Sequence, residues 1–200
     1  LHGRRPVLWV HIEGIRNTAL IRELGEAFSL HGLALEDAVT HHQHVKVEEY
    51  DNHLFLVSRM VPASPNRETR QLSIFLSEHV VITVTDEHSD LIAALRPRLN
   101  DPHSSLRRKG SDFLAYAILD ITVDQYFPLL EHFGEQLDDL EDRITDHPPR
   151  DIIHEVHDVR VELREMRRVV WQQREAINAL LRSENQLIKD ETRTYLRDCH

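Results

Sequence analysis

The chain is short of cysteine, glycine and long apolar runs, and each shortage excludes a class of protein. The single cysteine, Cys199, excludes an internal disulfide and fits a reducing compartment. With six glycines there is little material for a nucleotide-binding loop, and no such loop, nucleophile elbow or HExxH motif is present. No apolar run reaches the about eighteen residues of a membrane span, and residues 1–10 do not form a signal peptide. The chain as given is therefore expected to be soluble and not an enzyme.

Positive charge is also scarce. The 24 lysines and arginines face 34 aspartates and glutamates, so the formal net charge is −10 and the pI is about 5.8. Nucleic acids and anionic lipid surfaces both need a basic face, so neither is expected as the main partner. Cations or a basic protein surface are the partners that this charge favours.

The first half of the chain alternates short strands with helices. Runs of β-branched and aromatic residues predict five strands, at 7–13, 44–51, 53–61, 70–77 and 79–85. Polar residues between consecutive strands favour antiparallel hairpins. Helices are predicted from a cap at Thr18 to a stop at Gly32, over 34–40, and after a cap at Ser89. Residues 1–110 are therefore expected to form a mixed α/β sheet domain that ends in a linker-like stretch.

After Gly110 the apolar period becomes helical. Apolar residues at alternating spacings of three and four predict an apolar seam on each of two long helices. Prolines at 148 and 149 separate the two helices. The seam residues are Leu130, Phe133, Leu137, Leu140 and Ile144 on the first helix, and Ile152, Val156, Val159, Leu163, Met166, Val170, Gln173, Ile177 and Leu180 on the second. Residues 111–181 should form an antiparallel hairpin. Residues 182–200 start a further helix, with Asp190 available to cap it. The fold class predicted from these patterns is α+β, a mixed sheet domain followed by the hairpin.

The predicted hairpin tip is acidic. Nine carboxylates against two arginines lie between residues 135 and 158, and the densest group consists of Asp138, Asp139, Glu141, Asp142 and Asp146. A charge run of this kind usually forms a solvated helix face. A more specific interpretation is a surface that concentrates cations or docks on a basic ring. The spacing alone leaves both open.

Histidine is abundant, and the sequence THHQH at 40–44 raises the question of a metal site. A transition-metal site needs three or four converging ligands. His41, His42 and His44 lack a cysteine partner or a glutamate at helical spacing, so surface histidines at a corner between a helix and a strand are favoured over a zinc site.

Several segments together resemble the CorA family of magnesium and cobalt transport proteins. The resemblance covers essentially the whole chain, and its segments are LEDAVTHHQHVKVEEYDNHLFLV (35–57), SIFLSEHVVITVTDE (73–87), PRL (97–99), LEDRI (140–144), VELREMRRVVWQQREAINALLR (161–182) and ETRTYLRD (191–198). No single segment is decisive, but their order and spacing are specific. The sequence departs from the family at His44-Val45, where Arg-Pro is usual before Lys46. The family's Gly-Met-Asn loop and two membrane helices would lie beyond residue 200.

The resemblance implies a fold and a function. It implies an α+β fold with α/β/α layers, in which a mixed sheet lies between helical layers and long helices follow. It also implies the cytosolic domain of a divalent cation channel that assembles as a funnel-shaped pentamer, senses intracellular Mg²⁺ and gates the pore. Mg²⁺ is the expected substrate, with Co²⁺ or another divalent ion possible. The last helix, which stops without a cap, would be the start of a stalk that leads to the membrane. The expected location is the cytoplasmic side of the cell membrane.

The resemblance also implies where the regulatory ion sits. In the family it lies between subunits, held by an acid after the strand that precedes the PRL-like helix and by an acid on the neighbour's stalk. The matching residues here are Asp90 and Asp198, and Glu87 replaces Asp90 if the register slips by a few residues. Local roles explain the same residues without a metal. Asp90 suits the first turn of a helix, and Asp198 can be a surface charge beside Arg197.

Two other functions remain open at this point. The related zinc-transporting branch, typified by ZntB, shares the architecture, and the histidines fit it. The chain could also be a soluble adaptor that binds a partner through its hairpin. Two apolar spans with Gly-Met-Asn between them in the native gene after residue 200 would exclude the adaptor, and a stop codon there would favour it.

Overall fold

The sheet has the five predicted strands in a mixed arrangement. The computed structural model describes residues 6–41, 43–61, 69–146 and 152–199. The strands are β1 Leu8–Glu13, β2 Lys46–Glu49, β3 Leu54–Met60, β4 Arg70–Leu76 and β5 Val80–Thr85. Their order is β1-β5-β4-β3-β2, with β1 parallel to β5 and every other pair antiparallel. The predicted mixed sheet is confirmed.

Eight helices are present among the described residues. They are α1 Thr18–Phe28, α2 Gly32–Val39, α3 Leu91–Asn100, α4 Ser105–Arg108, α5 Ser111–Asp124, α6 Tyr126–Asp146, α7 Ile152–Arg182 and α8 Asp190–Leu196. The turn predicted between α6 and α7, with its two prolines, lies outside the described residues. α4 forms within the stretch that the sequence suggests is a linker, where Ser104 caps it by accepting a hydrogen bond from the Leu106 N–H at 3.2 Å.

Both faces of the sheet are covered, which gives the predicted α/β/α layers. Successive residues of a strand point to opposite faces. On β3, Leu54 and Leu56 face a core shared with α3, α5 and α8, whereas Phe55 and Val57 face a second core shared with α1 and α2. The near-continuous burial of β3, β4 and β5 follows from this position between two layers.

The helix boundaries differ from the predicted caps. Asn17 rather than Thr18 caps α1, since its Oδ1 accepts from the Leu20 N–H at 3.1 Å. α1 ends at Ser29, which adopts a left-handed conformation with φ 55°, and Gly32 begins α2 instead of ending α1. A left-handed residue closes a helix because its backbone N–H turns back toward the last carbonyls.

α5 is buried against the sheet and is followed almost without interruption by α6, which leaves it. Ten of the fourteen residues of α5 are buried. The combined stretch Ser111–Ile144 is long and apolar enough to cross a membrane by length and composition, and half of its most apolar window is buried inside the fold. The core helices of soluble proteins can be equally long and apolar. Its burial against β3, β4 and β5 makes α5 a core helix here.

α6 and α7 pack as the predicted hairpin, but only half of the predicted seam is buried. Phe133 and Leu140 of α6 lie against Val159 and Met166 of α7 in one cluster. The alternate seam residues remain exposed to solvent by 40–49%; they are Leu130, Leu137, Ile144, Val156 and Val170. Two helices can bury only the residues that face each other, whereas a full seam of this kind needs further helices. The expectation that both halves of the seam meet within one hairpin is wrong.

Candidate functional site

The predicted sensor acids Asp90 and Glu87 lie on the loop that joins β5 to α3. Asp90 is the N-terminal capping residue of α3, but its side chain makes no capping hydrogen bond and is 83% exposed. Glu87 is 67% exposed, and its carboxylate lies 3.7 Å from Nε of Arg70. The predicted cap at Ser89 is therefore displaced by one residue. Both acids are accessible to an ion or to another subunit.

A hydrogen-bonded cluster around Glu13 holds this loop against the edge of the sheet. One carboxylate oxygen of Glu13 accepts from the Ser89 N–H at 3.1 Å, and the other lies 2.8 Å from Nδ1 of His88. Arg70 donates from Nη1 to the carbonyl of His88 at 2.6 Å. These contacts tie the loop to strands β1 and β4 on each side of β5. The backbone that carries Asp90 is thus held in place, while its carboxylate is exposed and lies 4.0 Å from Nε2 of His88.

His11 completes the cluster beneath the loop. Its side chain is 3% exposed, with Nδ1 2.8 Å from Oγ1 of Thr83 and Nε2 3.3 Å from both Glu13 and Ser89. Burial lowers the pKa of His11, which is therefore neutral at neutral pH. The hydrogen bond from His88 lowers the pKa of Glu13, and the same bond raises the pKa of the exposed His88.

This Ser–His–Glu arrangement does not have the geometry of a hydrolytic triad. In a triad the base uses one ring nitrogen for the nucleophile and the other for the orienting acid. Here Ser89 and Glu13 share Nε2 of His11. The cluster was not found from the sequence, since its members come from β1, β5 and the loop, and only the parallel pairing of β1 with β5 brings them together.

An open cavity of about 550 Å³ lies beside Asp90. Arg70, His88 and Asp90 line its rim, and apolar residues of β3, α3 and α6 line its floor; these are Met60, Leu91, Pro128 and Leu129. The side chain of Gln125 also reaches the cavity, and its Oε1 is buried without a hydrogen-bond partner. The cavity leaves room for ions or side chains near the loop.

Asp198 lies just after α8, and α8 is anchored on α5. Asp112 of α5 is 2% exposed, and its Oδ2 accepts from the Lys189 N–H at 3.2 Å and from the Thr192 hydroxyl at 2.6 Å. The buried carboxylate therefore caps α8 from a neighbouring helix, in place of the predicted cap by Asp190. Asp190 occupies the first turn instead. Because of this anchor, the start of α8 cannot move independently of the sheet.

Two further contacts hold α8 along its length. The ammonium of Lys109 lies 4.2 Å from the ring centre of Phe113 and 3.9 Å from that of Tyr195, with Glu191 at 3.0 Å. Sγ of Cys199 lies 3.5 Å from Asp120, and burial raises the pKa of this thiol to about 12. The thiol is therefore unreactive at neutral pH. Asp198 is exposed beside it, and the backbone N–H of Asp198 donates to the Tyr195 carbonyl at 3.0 Å.

The acidic residues predicted at the hairpin tip line the far end of α6. Asp138, Asp139, Glu141 and Asp142 are all exposed, and the side chain of Asp146 lies outside the described part of the chain. Arg143 neutralises part of this charge, because it binds both carboxylate oxygens of Glu155 at 2.6 and 2.7 Å and lies 3.3 Å from Asp139. The four described acids are solvated, and the contacts of Arg143 with Glu155 and Asp139 are ion pairs.

The histidines of THHQH do not form a metal site in the described structure. His41 and His44 are exposed at the corner between α2 and β2, as the favoured interpretation expects, and His42 lies outside the described residues. His41 is 3.9 Å from Asp86. In the part of the chain that the structure describes, no group of three or more His, Cys, Asp or Glu residues could hold a metal ion. A site completed by a second subunit remains compatible with this geometry.

Comparison with known proteins decides the family. The sequence profile described as "CorA-like Mg2+ transporter protein" matches residues 6–200. The chain belongs to the CorA family. One relative, the cobalt/magnesium transport protein CorA of Thermotoga maritima, is 33% identical over 96% of this chain. The chain spans 56% of the length of that relative. The CorA resemblance inferred from the sequence is thereby confirmed, and this is a transporter family rather than an enzyme family.

Solved structures share the fold of this CorA-family domain. The soluble domain of CorA from Methanocaldococcus jannaschii superposes with a TM-score of 0.78 at 19% identity, covering 90% of this chain and 72% of that one. The cytoplasmic domain of ZntB from Vibrio parahaemolyticus gives a TM-score of 0.77 at 16% identity, covering 98% of this chain and 78% of that one. At these identities the likeness establishes the fold and does not choose between the two branches.

Proposed function

We propose that the chain is the cytosolic part of a CorA-like transporter for divalent cations, and that it senses Mg²⁺ between subunits. In this proposal, residues 1–110 and residues 111–181, which include the core helix α5 and the α6–α7 hairpin, form the sensor body of a homopentamer. Residues 182–200 begin the stalk toward the membrane. Asp90 of one subunit and Asp198 of its neighbour approach the same ion, and Glu87 is the alternative to Asp90. The observation that carries the proposal is the match to the CorA profile over residues 6–200.

The geometry of one protomer supports this assignment. Asp90 is 83% exposed on a loop that Glu13 and Arg70 hold in place, and Asp198 is exposed at the end of a helix anchored by Asp112. Each acid is thus a solvated charge on a fixed backbone, which suits a contact made by another copy. The net charge of −10 favours divalent cations as the ligand.

Electrostatics provides the switch. Two carboxylates about 4 Å apart repel by roughly 4 kcal/mol at an effective dielectric constant near 20. A bound Mg²⁺ removes this repulsion and can keep several of its waters, so one acid from each subunit is sufficient. When Mg²⁺ is abundant the subunits are held together and the pore stays closed. When it is scarce the subunits separate and the pore opens.

The test uses the full-length transporter and limited proteolysis of its cytosolic part with and without Mg²⁺. Asp90→Asn and Asp198→Asn should each reduce the protection that Mg²⁺ gives, because each removes one side of the bridge. The double variant should add little to either single one, since the two acids act as a unit. Glu78→Gln is the matched control, because Glu78 is an acid that is 82% exposed on the turn between β4 and β5.

Wild-type protection in both single variants would show that the site assignment is wrong. The family assignment would survive that result, since it rests on the whole sequence. Equal loss in the Glu78 control would show instead that any change of surface charge has the same effect.

Zinc transport is the second candidate, because the chain shares its fold with the cytoplasmic domain of ZntB. The fifteen histidines are consistent with a softer ion. Uptake of Zn²⁺ and Mg²⁺ by cells that express the full-length protein distinguishes the two. Uptake of Zn²⁺ that Mg²⁺ does not compete with would favour zinc.

A further inference from the structure

The start of α3 carries two residues that are suited to cap a helix, and it uses neither. Ser89 and Asp90 both have the short polar side chains that are preferred at a helix N-terminus. Asp90 is the capping residue of α3, yet within the described part of the chain its side chain makes no capping hydrogen bond. Its carboxylate is 83% exposed instead. A capping carboxylate at this position would bind the N–H of Ile92 or Ala93.

Two side chains of β1 hold Ser89 away from the cap. One carboxylate oxygen of Glu13 accepts from the Ser89 N–H at 3.1 Å, and the Ser89 hydroxyl lies 3.3 Å from Nε2 of His11. His11 and Glu13 are two residues apart on one face of β1, and Nε2 of His11 lies 3.3 Å from the same oxygen of Glu13. The backbone and the side chain of Ser89 are therefore both bound to β1 rather than to α3.

Arg70 and Glu13 hold one peptide group between them. The carbonyl of His88 and the N–H of Ser89 belong to the same planar peptide group. Nη1 of Arg70 donates to this carbonyl at 2.6 Å, and Glu13 accepts from this N–H. Arg70 begins β4 and Glu13 ends β1, and these strands flank β5 on its two sides. The peptide plane just before Ser89 is therefore fixed from both neighbours of β5.

The backbone of Asp90, which follows this fixed peptide, does not have a capping conformation. A capping residue usually has an extended backbone. The side chains that cap α1, α2 and α4 belong to residues with ψ of 76°, 137° and 138°. Asp90 has φ −81° and ψ 13°. Its backbone is closer to helical than to capping, and its side chain projects into solvent.

We propose that Glu13 is a positioning residue for the sensor: it holds Ser89 on β1, keeps Asp90 out of the capping conformation and so leaves the Asp90 carboxylate available to a cation. Without Glu13, Asp90 turns into the cap of α3 and accepts from the N–H of Ile92 or Ala93. A carboxylate bound to these N–H groups, at the positive end of a helix, has less affinity for a cation. The inference rests on the proposed Mg²⁺ site, but it concerns contacts within one chain.

Amide hydrogen exchange of the chain in metal-free buffer tests the capping step. Glu13→Ala should slow the exchange of Ile92 and Ala93 about fivefold, because a new cap binds these N–H groups; this factor corresponds to about 1 kcal/mol, the usual contribution of an N-cap. The slowing should be absent in Glu13→Ala/Asp90→Ala, which has no carboxylate at position 90. Unchanged or faster exchange in Glu13→Ala would overturn the inference, as would slowing that persists in the double variant.

Limited proteolysis of the full-length transporter over a range of Mg²⁺ concentrations tests the consequence. Glu13→Ala should raise the Mg²⁺ concentration at half-maximal protection about fivefold and leave the protection at saturating Mg²⁺ unchanged. Glu13→Gln removes the same charge but keeps an oxygen that can accept from Ser89, so it should shift this midpoint less than about twofold. Glu78→Ala is the control, because Glu78 is an exposed acid 3.4 Å from His79 on the turn at the other end of β5.

An unchanged midpoint in Glu13→Ala would show that Glu13 does not position the sensor. Equal shifts in Glu13→Ala and Glu13→Gln would also refute the positioning role, because the lost charge would then explain both. Asp90→Asn separates these results from a failure of the proposed function. If Asp90→Asn keeps wild-type protection, the sensor assignment is wrong and the positioning role falls with it. If Asp90→Asn loses protection while Glu13→Ala keeps its midpoint, only the positioning role is wrong.

Discussion

Removing the carboxylate of Asp112 should loosen α8 and lower the stability of the whole domain. Asp112→Ala deletes an acceptor that is 2% exposed and serves two donors, the Lys189 N–H at 3.2 Å and the Thr192 hydroxyl at 2.6 Å. A hydrogen bond to a charged group contributes about 1.5–3 kcal/mol, and the two bonds to one carboxylate are not additive. The nearby ammonium of Lys189 is 57% exposed at 3.7 Å, and solvent screening makes its contribution small.

The expected loss is therefore about 2–4 kcal/mol in the free energy of unfolding, measured by denaturant titration. In a domain of this size that corresponds to a fall in Tm of about 5–15 °C. Hydrogen exchange should show where the loss arises, because the amides of α8 lose their anchor while those of β3 and β4 keep theirs. Asp112→Asn should cost less, because the amide oxygen can still accept from both donors.

Asp190→Ala is the matched comparison. Asp190 lies in the first turn of the same helix, but its side chain is fully exposed and lies 3.8 Å from Arg193. The change should cost less than about 1 kcal/mol, the usual contribution of an acid near a helix N-terminus. If Asp112→Ala costs no more than Asp190→Ala, or if α8 exchanges no faster, then the buried carboxylate does not anchor α8 to the sheet domain.

Two further predictions concern the core that α1 and α2 form with the sheet. Burial lowers the pKa of both His53 and His11, so the folded state resists a proton that the unfolded chain takes up near pH 6.5. The stability that these two neutral imidazoles contribute should be constant above that pH and fall below it. Denaturant titration at pH 7.5 and 5.5 should show a smaller fall for His53→Gln than for the wild type, and an equal fall would contradict a role for His53. Gly25→Ala should cost about 1–3 kcal/mol because the added Cβ collides with the side chain of Leu35. Adding Leu35→Ala should cancel part of the collision, and a strictly additive double variant in thermal unfolding would refute it.

The acids proposed as the sensor differ in how far the sequence could place them. The order of elements predicts Asp90 at the start of α3. In the structure Asp90 is the capping residue of α3, one position after Ser89, where the sequence predicts the cap. The Glu13 cluster that steadies this loop was beyond sequence reasoning, because Glu13 and Ser89 are 76 positions apart along the chain. Local sequence patterns predict only the structure of neighbouring residues. The pairing of two parallel strands depends instead on the path of the chain that connects the two strands.

The sequence by itself determined which elements form. Alternating β-branched residues specify the five strands, and apolar spacings of three and four specify α6 and α7, because both signals depend on neighbours within one or two turns. The spacing of segments such as LEDRI and ETRTYLRD also identified the family. The α/β/α layering was implied by the family resemblance, and the near-complete burial of β3 agrees with it.

Only the tertiary structure decided which members of each pattern are buried. Phe133 and Leu137 belong to the same apolar seam in the sequence, yet Phe133 is 4% exposed and Leu137 is 46% exposed. Asp112 and Asp190 are both acids in the first turn of a helix, yet only Asp112 is buried and caps a helix other than its own. Burial depends on which distant element packs against a residue, and the local sequence does not specify that element. The free-energy cost of burying a charge or of exposing an apolar stripe therefore depends on the tertiary packing.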